Sequence, residues 1–149
     1  MIPILWIQAT ASLSMLTLII LVQVVIYPQF AHVGHSDLTD YAMAHVRRIS
    51  YVVVPIMLAE AASLAGLWAF PNAHTPALYW TTTLLALIWL LTFIKIVPIH
   101  NQLCAHGNPP NIPLLVRLNA YRTGLWILKT GAVGWMLFEH WHRLAIPLT

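Results

Sequence analysis

The chain has 149 residues, 60% of them hydrophobic and 7% charged, with a mean hydropathy of +0.77 and a net charge of +3. Soluble domains carry about a quarter charged residues, so a chain this apolar has lipid as its solvent and is integral to a membrane. Seven Lys and Arg against four acids are too few for a nucleic-acid surface, and a single cysteine, Cys104, excludes an internal disulfide.

Four apolar runs follow in chain order, at about 2–27, 49–70, 77–99 and 113–138. Each reaches the roughly 20 residues that cross a bilayer as a helix. The first lacks a basic N-terminal region and a small-residue cleavage site, so it reads as a retained helix rather than a signal peptide. Helix stops are expected at Tyr27-Pro28, at "FPNAHTP" and at "HGNPPNIP". The expected fold is all-α, a single transmembrane domain over 1–149. It is an antiparallel up-down four-helix bundle with both termini on one side. Arg47, Arg48 and Arg117 lie in the connections on the opposite side, facing only Arg143 on the side of the termini. The positive-inside rule then places those connections in the cytoplasm and the termini outside, in the periplasm for a bacterial inner membrane. Trp6, Trp68, Trp80, Trp135 and Trp141 fall near the outer ends and read as an aromatic belt.

Polar residues inside the runs need partners, because an ionisable group at the bilayer centre costs at least ~2.5–3.5 kcal/mol. Four are embedded: Glu60, Lys95, Arg122 and Lys129. Counted from Val46 and Arg117 at about 1.5 Å per residue, Glu60 lies roughly 21 Å and Lys129 roughly 18 Å from the cytoplasmic face. An ion pair between them is therefore expected. It serves either to pin two helices together or to close the deep end of a polar cavity. In the fourth run Asn119, Arg122, Trp126 and Lys129 are spaced i, i+3, i+7 and i+10, one stripe that should face the other helices. In the second, His45 and Arg48 share a face. Lys95, one turn inside the boundary, reads either as part of the site or as a snorkelling side chain. Pro98 removes a helical donor just before His100, which makes a polar cavity there easier to build.

His45, Arg48, His100, Asn119 and Arg122 thus converge at the cytoplasmic ends, and they are the candidate catalytic residues. Trp126, Glu60, Lys129 and Lys95 are the candidate substrate-binding residues. Imidazole is the natural proton acceptor near neutral pH, and Arg and Asn can hold a developing oxyanion. Such a site suits a hydrophobic small molecule entering from lipid. His45 and His100 also have the disposition to ligate a haem iron from two sides, with Arg48 and Arg122 on its propionates. His32/His35 and His140/His142 are spaced HxxH and HxH, which is a weak metal signal that would need ligands from other loops. No metal ligand set is assigned. No P-loop, dinucleotide fingerprint or nucleophile elbow is present.

In order and spacing, "YPQF", "HVRRISYVVVPIMLAE", "VPIHNQL" and "RLNAYRTGLW" resemble a group of bacterial four-helix membrane proteins. More distantly they resemble the anthrone-oxygenase-like membrane proteins, implicated in oxygenating polycyclic aromatic anthrones. The resemblance covers most of the chain. The bacterial group's recurring positions match Tyr27, Pro28, His45, Arg48, Pro55, Glu60, Pro98, His100, Leu103, Asn119, Arg122, Thr123 and Trp126. Ala120 departs from the Trp common there, so a contact made by that ring is missing. The resemblance implies an oxidoreductase or oxygenase-like enzyme acting on a hydrophobic small molecule. The alternatives are a non-catalytic subunit or assembly factor of a larger membrane complex, a haem- or metal-binding membrane protein, and a homo-oligomer.

Overall fold

The computed structural model describes residues 1–106 and 111–145. All the regular structure among them is helical. Helix α1 runs Ile2–Phe30, α2 Leu38–Trp68, α3 Pro76–His106 and α4 Asn111–Ala145. A short 3₁₀ turn, Pro71–Ala73, lies between α2 and α3. Helices α1, α2 and α3 are long and apolar enough to cross a membrane. Helix α4 is the longest at 35 residues, but it carries Arg117, Arg122, Lys129, Glu139 and Arg143. It falls outside that apolar class.

The expected stop at Tyr27-Pro28 does not stop its helix, and Pro98, expected to open a helix end, does not end its own. Pro28 and Pro98 lie inside α1 and α3, each preceded by a π-helical turn, at Val22–Ile26 and Thr92–Ile96. Proline lacks an N–H, and its ring clashes with the carbonyl four residues back. A wider turn just upstream absorbs that clash and lets the helix continue. The expected connections shrink accordingly. Positions 38–48 are already helical in α2, and α3 continues to His106. "FPNAHTP" does break the chain, since α2 ends at Trp68 and α3 starts at Pro76. The 107–110 part of "HGNPPNIP" lies outside the described residues.

Each π turn adds one residue and so rotates everything beyond it. Along α1 the buried positions run Leu5, Gln8, Ser12, Met15, Ile19 and Val22, alternating steps of three and four. The next would be Ile26, but Tyr27 takes the place, at 3% exposure. On α3 the residue seven beyond buried Ile88 is Lys95, which is exposed, while Ile96 is buried at 1%. Without an inserted residue α4 keeps its register, with Ile112, Leu115, Asn119, Arg122, Trp126, Lys129, Val133 and Met136 all buried.

Helix α1 packs on α2 and α4, α3 packs on α4, and the last turns of α3 pack on α2. Two apolar clusters result. One lies around Met15, Leu64, Leu78, Ile88 and Trp126, the other around Tyr27, Phe30, Leu38, Leu103 and Leu115. The outer surface is apolar, with Leu13, Val24, Leu58, Leu90, Ile94 and Leu128 exposed, while Gln8, Ser12, Glu60, Asn119 and Lys129 are wholly buried. Polar groups inside and apolar groups outside suit a lipid solvent, where every embedded polar group must find its partner within the protein. Trp6, Trp80, Trp135 and Trp141 are exposed, as an interfacial belt requires.

Candidate functional site

Two polar regions lie on the inner stripe of α4, seven residues apart. In the deeper one, Lys129 pairs with Glu60 Oε1, both at 0% exposure. Ser12 Oγ donates to the same Glu60 oxygen at 2.7 Å and accepts from Lys129 Nζ at 2.9 Å. Ser63 Oγ donates to Gln8 Oε1 at 2.6 Å, and Lys129 Nζ stands 5.3 Å from the centre of the Trp126 ring. Opposite charges in contact, backed by hydroxyls and an aromatic face, neutralise each other without water. Glu60 Oε2 alone has no partner.

The second region lies where α1 leads toward α2 and α3 toward α4. The π turn of α1 aims Tyr27 inward, and its hydroxyl lies 2.8 Å from His100 Nε2. The His45 and His100 rings stack with centroids 5.9 Å apart. Phe30 packs edge-on to His45 at 5.2 Å and to Tyr41 at 4.9 Å. Asn119 donates to Gln23 Oε1 at 2.7 Å, and its own oxygen accepts two bonds from Arg122, at 2.5 and 3.0 Å. A cavity of about 140 Å³ opens among Tyr27, His45, Ser50, His100, Asn101 and Arg122. Two features of this lining stay unsatisfied. The buried His100 Nδ1 has no hydrogen-bond partner. Arg122, 9% exposed, has no acidic counter-charge among the described residues.

The nine candidate residues therefore divide. His45, His100 and Arg122 line the cavity, and Asn119 orients Arg122 from beneath. Glu60 and Lys129 belong to the deep pair. Trp126, 1% exposed, packs in the apolar core beside Lys129. Arg48 is exposed and lines a separate outer groove of about 300 Å³, together with Ile26, Ala44 and Val52. Lys95 is exposed, apart from both regions, because the π turn carries it round the helix. The sequence reading overlooked Gln8, Ser12, Gln23 and Tyr27 as site residues. The signal was available, since Gln8 and Ser12 lie one turn apart in a span otherwise rich in apolar residues.

Haem fits this cavity poorly. His100 Nε2 is already engaged by Tyr27, and about 140 Å³ is below the roughly 300 Å³ at which small-molecule sites begin. Among the described residues no group of three or more His, Cys, Asp or Glu is placed to hold a metal ion. His32, His35 and His142 are exposed. At the opposite end, Met1, Asn72, Thr75, Glu139, His140 and Arg143 border a hollow of only about 20 Å³, room for little more than one water. No family model matches the chain, and neither curated proteins nor solved structures give a significant match.

Proposed function

We propose that the chain is a multi-pass inner-membrane enzyme that binds a lipid-soluble small molecule and moves a proton at it. In this reading all four helices cross the bilayer as an antiparallel bundle. The cavity lies near the cytoplasmic face, and both termini lie in the periplasm. Three apolar spanning helices support it, as do the inward polar stripe of α4 and the arginines Arg47, Arg48 and Arg117 at the cavity's end. The resemblance to bacterial four-helix membrane proteins and to anthrone-oxygenase-like proteins favours a reaction of the oxidoreductase or oxygenase class.

The observation that carries the reading is a cavity holding an unpartnered imidazole nitrogen and an unpaired guanidinium. With Tyr27 accepting from Nε2–H, the unpartnered His100 Nδ1 is a free base. With Tyr27 donating, Nδ1 carries the proton and acts as an acid. Arg122, held by Asn119, stabilises negative charge as it develops on the bound molecule. His45, stacked on His100, lines the same cavity.

The test is native mass spectrometry after extraction in mild detergent, comparing the wild type with Ser50→Trp, which fills the cavity. A lipid-soluble molecule bound to the wild type and lost from S50W is expected. The same complement on both proteins would contradict the reading. A Soret band lost on His45→Ala would bring haem ligation back, and a stoichiometric partner protein would favour a subunit role.

A further inference from the structure

The cavity and the outer groove share a wall. His45 and Ile49 border both. Beyond its π turn the backbone of α1 follows α4 rather than α2. On that side α1 and α2 are bridged by side chains, Phe30 against Tyr41 and His45. The inserted residue that sends Tyr27 inward leaves Ile26 at the groove, facing Ala44 and Val52 across it. These groove walls are apolar. Arg48 stands at the groove without an acid partner among the described residues.

Charge decides what this arrangement accepts. A guanidinium removed from water is costly unless an anion meets it. Arg122 spends its contacts on neutral groups, the amide oxygen of Asn119 and the hydroxyl of Tyr27, and has five N–H donors. No carboxylate among the described residues reaches it. The deep pair shows what this protein does with a buried cation that has only a structural part, since Lys129 has its own carboxylate. The anion for Arg122 must come from outside. Volume points the same way. About 140 Å³ holds a head group rather than a whole ligand, and the groove beside it, of about 300 Å³, is an apolar channel for the remainder.

Resting on the proposed binding reading, we infer that the occupant is a lipid-dissolved acid. It enters sideways between α1 and α2, its carboxylate or acidic enol head pairs with Arg122, and its apolar body lies in the groove of Ile26, Ala44 and Val52. His45, on the shared wall, is the side chain that the head must pass. Arg48 collects the anion at the groove before it enters. Specificity for an acid over its neutral analogue then resides in Arg122, and size selection in Ala44.

The experiment is photolabelling in zwitterionic liposomes with two probes of equal chain length carrying a diazirine in the chain. One is a fatty acid and the other its fatty alcohol. The expected result is labelling concentrated on Ile26, Ala44, Ile49 and Val52. The acid should exceed the alcohol by at least about tenfold, the scale of a hydrogen-bonded charge contact. Arg122→Gln should bring the acid down to the alcohol's level, Arg122→Lys should keep part of the preference, and Ala44→Trp should block both probes. Equal labelling of the groove by acid and alcohol in the wild type overturns the acidic ligand, yet leaves the cavity a binding site. Labelling spread evenly over all lipid-facing surfaces, unchanged in A44W, overturns the lateral entry. Groove labelling indifferent to S50W contradicts the binding reading itself.

Discussion

Lys129 and Arg122 are both cations buried on the inner face of α4, and their surroundings differ completely. Lys129 meets a carboxylate, a hydroxyl and an indole ring. Its charge is neutralised within the protein. Arg122 meets only neutral groups, the amide of Asn119 and the hydroxyl of Tyr27, beside an open cavity. In the proposed reading the paired charge is architecture, whereas the unpaired charge beside the cavity is a binding group. Helix register and hydropathy alone do not separate the two, because both residues occupy the same stripe.

The largest expected effect is at the deep pair. Glu60→Gln or Lys129→Met leaves one charge buried and unpaired, which costs about 3–5 kcal/mol. The double variant should lose less than the sum, because the stranded charge is gone. Thermal unfolding of all four proteins in one detergent measures this, and simple additivity would sever the coupling. Next comes Tyr27→Phe. It leaves the part-buried His100 Nε2 without its protein partner at about 1–3 kcal/mol, read by the same unfolding. An unchanged midpoint there would mean that the Tyr27–His100 contact contributes nothing to the site. The smallest effect is at Lys95, whose side chain is exposed. Lys95→Gln should leave both stability and photolabelling at wild-type levels, and a large loss would return Lys95 to the site.

Much of this was readable in the sequence. Depth counting from Val46 and Arg117 brings Glu60 to Lys129, and the i, i+3, i+7 spacing puts Asn119, Arg122, Trp126 and Lys129 on one inner face. These inferences work because α4 and this part of α2 keep an ordinary helical register. Lys95 and Tyr27 show where such counting breaks. Each lies at or just beyond a π turn, and one inserted residue turns Lys95 outward and Tyr27 inward. Prolines at Pro28 and Pro98 signal trouble in the helix. Pro28 reads as a stop, and Pro98 as an opened helix end, because a local pattern does not tell whether the chain breaks or widens. The division of the α4 stripe was legible as two depths, Lys129 with Glu60 and Arg122 with His45 and His100, but the open space beside Arg122 was not. That space depends on how closely the neighbouring helices pack at that level, which only the packed structure decides.

The contrast between Lys129 and Arg122 is tested most directly by one comparison, the unfolding midpoints of Lys129→Met and Arg122→Met with no ligand added. K129M should fall by the equivalent of about 3–5 kcal/mol, because Glu60 is stranded. R122M should lie within about 1 kcal/mol of the wild type or above it, since removing an uncompensated buried charge offsets the loss of the contacts to Asn119. If both variants fall equally, Arg122 is a strut like Lys129, and the cavity beside it is not a site kept open for an anion.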